Sequence, residues 1–305
     1  NYDMHNLKRE FVHTHESVLI DTLEAVDIFA EVRPEDKYTI IDSLQKANHI
    51  VGMTGDGVND APALKKADCG FAVSNATDAA RAAADIILTS PGLSVINDAI
   101  EQARITFERM KSYATFRVAE SIRIILFMAL SIMLFNFYPI TTLMIIMLAL
   151  LNDIPILAIA YDNTKISKKP VTWNLSHLLT ISSILGVAGV VSSFMLYLFL
   201  KEQGLSDELI QSLLFLKLIV AGHSTLYLTR TDGWFWQNPW PSPLLLIATF
   251  GTEIIATLIA VYGVFITPIG WENALYIWLY ALVWFLINDV IKVKTQSMLS
   301  NKMVT

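Results

Sequence analysis

The sequence predicts two parts of different class, an α/β parallel-sheet domain over residues 1–98 and an all-α bundle of six transmembrane helices over 116–294. Three observations carry this. The 305 residues are 54% hydrophobic and only 16% charged, too apolar for a pair of ordinary soluble domains, and the apolarity is concentrated after residue 115. Before that point, short apolar runs alternate with helical patterns, as in a parallel sheet covered by helices. After it come six apolar stretches of about 20 residues, the length that crosses a bilayer.

In the soluble part, His5, His13 and His15 have no accompanying cysteine or carboxylate pattern and read as loop residues. Leu19 to Val26 reads as a helical turn or two, and Asp27–Val32 as a short strand that Arg33-Pro34 breaks. Glu35-Asp36-Lys37 starts an amphipathic helix with Ile40, Ile41 and Leu44 on one face. Ile50, Val51 and Met53 then read as a buried strand that ends in Thr54-Gly55-Asp56-Gly57. A helix opens near Asn59 or Asp60 with Pro62 in its first turn, where a missing N–H costs nothing.

Lys65 and Lys66 read as a solvated helix face. Cys69–Val73 and Asp85–Leu88 are two further strands around a helix at 76–84, with Asp68, Asp78 and Asp85 as cap and turn residues. Cys69, the one cysteine, excludes an internal disulfide and reads as a packed thiol in a reducing compartment. No apolar leader follows a charged start. From Ser94 to Phe135 there is neither Pro nor Gly, so one helix of about 60 Å is expected, polar over the stalk segment 99–115 and apolar beyond.

The stretch from His49 to Leu64 is where chemistry is expected. Two carboxylates, Asp56 and Asp60, come to the carboxyl end of a strand, where open α/β sheets place their ligands. Glycines beside them let the backbone approach a ligand closely. Hard oxygen donors there suit Mg²⁺, held through one or two carboxylates and phosphate oxygens. A bare Gly-Asp-Gly would equally suit a tight turn capped by its own side chains. Lys37 by itself reads as an exposed lysine at a helix start, a mildly unfavourable place for a cation.

The six spans fall at 116–136, 140–161, 176–200, 209–228, 244–266 and 274–293. Basic residues gather in alternate connections: Arg104, Arg109, Lys111 and Arg117, then Lys165, Lys168 and Lys169, then Arg230, then Lys292 and Lys294. The other connections hold only Lys201. The positive-inside rule therefore puts the soluble part and the 295–305 tail in the cytoplasm. Trp234, Trp236, Trp240, Trp271 and Trp278 read as an interfacial belt. The net charge of −6 leaves no basic footprint for nucleic acid.

Inside the spans, Arg123 and Asp153 stand out, since each ionisable group costs about 2.5–3.5 kcal/mol on insertion scales. They are matched in depth, about 10–12 Å from the cytoplasmic edge, so the two charges are able to pair. Pro155 frees the carbonyl of Leu151 and predicts a broken helix beside Asp153. Glu120 is spaced to pair with Arg123. Lys217, His223, Glu253 and Asp289 read as groups that hold the later spans together or touch a transport path.

The string Thr54-Gly-Asp-Gly-Val-Asn-Asp-Ala-Pro-Ala-Leu64, with Arg33-Pro-Glu-Asp-Lys-Tyr38, resembles the phosphorylation domain of P-type ATPases, which has the haloacid-dehalogenase-like, Rossmann-like fold. The resemblance implies that Asp56 and Asp60 serve the Mg²⁺ site, with Asn59 in support, that Thr54 and Gly55 are cofactor-binding positions, and that Lys37 reaches the aspartyl phosphate. From about residue 11 to 294, segments such as Ser121-Ile-Arg-Ile and Leu150-Leu-Asn-Asp153 are similar to those of the plasma-membrane proton pumps. That likeness implies a multi-pass cell-membrane pump with ATP and protons as substrates. Asp153 would be the proton carrier, Arg123 its counter-charge, and Asn152 part of the same site.

The six spans would correspond to family helices 5 to 10. The phosphorylated aspartate in Asp-Lys-Thr-Gly-Thr, the nucleotide domain and four earlier spans would belong to a missing N-terminal part, without which the fragment is inactive. No long C-terminal inhibitory tail is expected. This chain departs from plant pumps in Ile154-Pro155 and in the charges of Glu120, Glu253 and Lys217. The rivals are a pump for another cation (Mg²⁺, Ca²⁺ or K⁺) and a non-catalytic membrane scaffold.

Overall fold

A computed structural model describes residues 2–3, 23–92, 94–167 and 173–302. His5, His13, His15, the start of the turn expected from Leu19, Lys168 and Lys169 lie outside the described residues. The chain divides into two compact units, Asn1–Ile100 and Glu101–Thr305.

In the first unit, strands β1 (Tyr2–Asp3) and β2 (Phe29–Ala30) pair in parallel. Helix α1 (Pro34–Lys46) begins on a proline, and the Asp36 carboxylate accepts the Arg33 N–H at 2.9 Å. Asn48 stops it in the left-handed region at φ 64, with the His49 N–H returned to Leu44 O and the Asn48 N–H to Gln45 O, a glycine-free Schellman ending. A second parallel sheet has the order β3 (Gly52–Gly55), β4 (Cys69–Ala72), β5 (Ile86–Ile87).

Between these strands lie a 3₁₀ turn (Val58–Asp60), helix α2 (Ala61–Lys66) and helix α3 (Asp78–Ala83). Leu64, Ala72, Ala76 and Ala80 form one small core beside the sheet, and Ile41, Ala63 and Ala67 form another. Ile50, expected inside a buried strand, is 80% exposed. The ladder starts only at Gly52, so Ile50 precedes it. Lys66, expected on a solvated face, bonds Asp42 at 2.7 Å and lies over the Tyr38 ring, which ties α2 to α1. Lys66 and Lys46 together hold the Asp42 carboxyl below its ordinary range. Asp68 and Asp85 act as expected, accepting the backbone N–H groups of Val51 and Gly70.

Helix α4 (Ser94–Phe135) is one element of 42 residues. The others are α5 (Thr142–Ala158), α6 (Leu175–Glu202), α7 (Asp207–Thr229), α8 (Pro243–Tyr262) and α9 (Gly270–Lys302). All six are long and apolar enough to cross a membrane. Side-chain caps start four of them: Thr141, Asn174, Ser206 and Ser242 each accept the N–H three residues on. Helix α9 runs on to Lys302, past the expected start of a tail at 295, because no Pro or Gly interrupts it.

In the second unit α7 is the central helix, packed on α5, α6, α8 and α9, with Ile210, Leu214, Phe215, Leu216 and Ile219 fully buried. Trp240 and Trp271 are exposed, as an interfacial belt requires. Trp278 instead turns inward and donates to Thr257 Oγ1 at 3.1 Å. Where α5 ends, Asp162 is a buried node: its carboxylate pairs with Arg230 and accepts the Ser242 N–H at 2.9 Å. The Asp162 carbonyl accepts Arg109 Nε at 2.8 Å.

Candidate functional site

The loop after β3 is built around Asp60. One carboxylate oxygen accepts Lys37 Nζ at 2.6 Å, and the other accepts the N–H groups of Asp56 and Gly57, each at 3.3 Å. Burial works to raise the Asp60 carboxyl, but Lys37 and these N–H groups outweigh it and hold it below the ordinary carboxylate range. Gly55 is required by contact: a Cβ there would lie 2.6 Å from Asp60 Cβ. The Thr77 N–H bonds Asp56 O at 2.8 Å, fixing the turn from below.

Asp56, Asn59 and Thr54 are left exposed at the end of the strand, while Gly55 and Asp60 are buried. Two roles expected of this loop therefore separate. Asp56 is the open carboxylate. Asp60, expected as a second metal ligand, has both oxygens engaged by donors, so its place is to position Lys37 and the Asp56-Gly57 backbone. Lys37, from the first turn of α1, keeps its side chain 38% exposed, so its ammonium can meet a ligand at this edge. One open carboxylate beside glycine backbone fits a Mg²⁺ ion that takes its remaining ligands from phosphate and water. The Cys69 thiol is raised by burial and by Asp85, in keeping with a packed, unreactive group.

The membrane unit holds a separate polar cluster. Glu120 and Arg123, each 3% exposed, pair with one another one turn apart on α4. Arg123 also donates to Leu218 O at 3.2 Å. A Cβ on Gly189 would sit 2.5 Å from Arg123 Cδ, so α6 leaves the space in which the arginine lies. Asn152 Nδ2 donates to Glu120 Oε1 at 3.4 Å, and Asn152 Oδ1 faces His223 Nε2 at 3.1 Å. His223 Nδ1 in turn lies 3.5 Å from Thr252 Oγ1 and 3.6 Å from Glu253 Oε1. Lys217, fully buried, donates to Ser193 Oγ at 2.6 Å and Gly189 O at 3.4 Å.

The expected Arg123–Asp153 pair is not formed. Arg123 faces inward onto Glu120, and Asp153, the residue after buried Asn152 on α5, is exposed. Pro155 does not break α5 either, which stays helical to Ala158. The link from Glu120 through Asn152 to His223 and Glu253 was not assigned from sequence. Its only sequence signal was the presence of these polar residues in apolar spans. Asp289 and Lys292 pair with each other at 2.9 Å and bind the Phe235 N–H and Leu228 O, a role in holding the bundle.

Residues 38–100 match the haloacid dehalogenase-like hydrolase family. The chain is 58% identical over 274 residues to a protein of Methanocaldococcus jannaschii named as a cation-transporting ATPase, covering 89% of this chain and 34% of that protein. It is 40% identical over 255 residues to plasma membrane ATPase 1 of Schizosaccharomyces pombe, covering 82% of this chain and 28% of that one. The chain thus spans about a third of the length of the curated relatives it matches. A haloacid dehalogenase-like hydrolase domain is therefore followed by helices long and apolar enough to span a membrane.

Proposed function

We propose that this chain is the carboxy-terminal part of a P-type ATPase that exports protons across the cell membrane, its first unit and its C-terminus cytoplasmic. The observation that carries the enzymatic half is the Lys37–Asp60–Asp56 arrangement at the end of β3, in a chain 58% identical to a cation-transporting ATPase. Asp56 would hold Mg²⁺, which when bound would neutralise charge on phosphate oxygens. Asp60 fixes Lys37, whose ammonium offers a placed positive charge to a phosphoryl group on an aspartate from the N-terminal part. Asn59 and the Thr54-Gly55 backbone stand exposed or adjacent to receive the same group.

For the membrane half, Asp153 is the only ionisable residue on α5, and its face is open to helices supplied by the rest of the protein. A lone carboxylate on an apolar helix suits a proton as cargo, and the similarity to a plasma membrane ATPase supports the same choice. Asn152, tied to Glu120 and His223, holds the helix in the rotation that presents Asp153. Arg123 is already neutralised by Glu120, so it discharges Asp153 only by exchanging one carboxylate for the other. An Arg brought beside a protonated Asp lowers its affinity for the proton. Export against a membrane potential costs about 2.3 kcal/mol per charge per 100 mV, which demands that this exchange be coupled to phosphorylation.

A pump for another cation is the second reading, favoured by the buried carboxylates Glu120 and Glu253. Full-length protein in sealed liposomes with a pH-sensitive dye separates the two. Acidification of the lumen on adding Mg-ATP, lost in Asp153→Asn, is the expected result. Hydrolysis without acidification, stimulated by a different cation, overturns the proton assignment.

A further inference from the structure

The imidazole of His223, fully buried, is surrounded by acceptors. Its environment can be built up from Glu120. That carboxylate only accepts, so the Asn152 group facing it at 3.4 Å is the amide nitrogen. Asn152 Oδ1 is thereby aimed at His223 Nε2, 3.1 Å away, and can only accept. Nε2 must therefore carry a hydrogen.

The other nitrogen, Nδ1, faces Thr252 Oγ1 and Glu253 Oε1. The Thr252 hydroxyl donates to Ala248 O at 2.8 Å or to Thr249 O at 3.0 Å, so it offers Nδ1 a lone pair. A neutral Nδ1 and an ionised Glu253 would place lone pair against lone pair in a buried space, at the cost that unsatisfied polar groups carry there. One more proton resolves this, either on Nδ1 against the Glu253 carboxylate or on Glu253 facing a neutral ring. In both forms the pair has the same net charge of zero, matching the neutral Glu120–Arg123 pair beside it.

We propose that His223 and Glu253 form a second proton-holding site, built to carry one shared proton and linked to the transport helix α5 through Asn152. Moving that proton transfers an N–H bond on Nδ1 to an O–H bond on Glu253, with no other reactant. Loss of the proton to solvent leaves one net negative charge in the bundle, and the Asn152–His223 bond then registers the change on α5.

The ionisable groups facing the pair are few. Helix α4 brings Glu120 and Arg123, α7 itself brings Lys217 and Tyr227, and α8 brings only Glu253. From α5 the nearest ionisable side chain is Asp153, on its exposed face, and α6 contributes neutral Ser193. Helix α9 brings Asp289 and Lys292, paired with each other.

The proposal rests on the membrane-pump reading for its link to transport, but its test needs neither ATP nor transport. Full-length protein labelled with ¹⁵N-histidine is titrated in nanodiscs, with the His223 signals assigned by their loss in His223→Gln. The expected result is an Nε2–H tautomer whenever the ring is neutral, and a midpoint that moves by about one pH unit or more in Glu253→Gln. Glu253→Asp, which keeps the carboxyl, should hold the coupling and covers the case in which Glu253→Gln does not fold. A midpoint indifferent to Glu253→Gln overturns the site, and so does a neutral ring protonated at Nδ1, which is read in the unsubstituted protein whether or not Glu253→Gln folds. Absence of proton pumping with the coupled titration intact would overturn the function reading alone.

Discussion

Each unit contains one lysine- or arginine-to-carboxylate pair at its candidate site, and the two pairs work under opposite conditions. Lys37–Asp60 lies at a wet edge, with the lysine side chain 38% exposed and the aspartate 9%. Glu120–Arg123 lies in the dry interior, at 3% and 4%. At the edge, water screens the attraction, so the pair contributes little stability and serves to aim an ammonium. In the interior neither charge can be left alone, so the pair is a condition of folding. Burial decides what an identical contact is for.

The sharpest way to break this contrast is Glu120→Gln. Stranding a buried guanidinium should cost about 3–5 kcal/mol, read as a lower unfolding midpoint of the full-length protein in detergent, and Glu120→Gln with Arg123→Met should recover most of it. A neutral single substitution would abolish the distinction. Lys37→Met should do the reverse. It is expected to slow phosphoenzyme turnover by about 10²–10³-fold while moving stability by no more than about 1 kcal/mol.

Gly55→Ala presses a methyl group against Asp60 and should cost about 1–3 kcal/mol, with activity falling as Lys37 loses its anchor; equal activity at lower stability would detach Asp60 from catalysis. The smallest effect is on pH dependence. The Asp60 carboxyl is held below its unfolded value near about 3.9, so its contribution is complete above that pH and lost as pH falls through the lower folded value. Asp60→Asn should remove that part of the acid dependence of unfolding, and an unchanged acid limb would show that the Lys37 bond is not made in solution.

What was legible in the sequence follows the same division. The edge site is written in one contiguous string, so the strand, the turn, Asp56 and Asp60 could be read together. The Glu120–Arg123 pair could be read because helical periodicity brings residues three apart onto one face. The pairing of Asn152 with His223, 71 residues apart, could not, because an apolar helix gives no sign of which way each side turns. That ambiguity is what sent Asp153 toward Arg123 in the expectation and Asn152 inward in the structure.

The Asp162 node has a mechanical consequence. Its carboxylate grips Arg230 at the end of α7 and the capping residue Ser242 at the start of α8, and its carbonyl grips Arg109 on α4. A bracket just past the end of α5 therefore joins that helix to three neighbours. Helix α5 can pivot about that point but cannot slide along its own axis without shearing several charge-assisted bonds at once. Leverage then grows with distance from the bracket, and Asp153, more than two turns away, sits where a small tilt becomes a displacement.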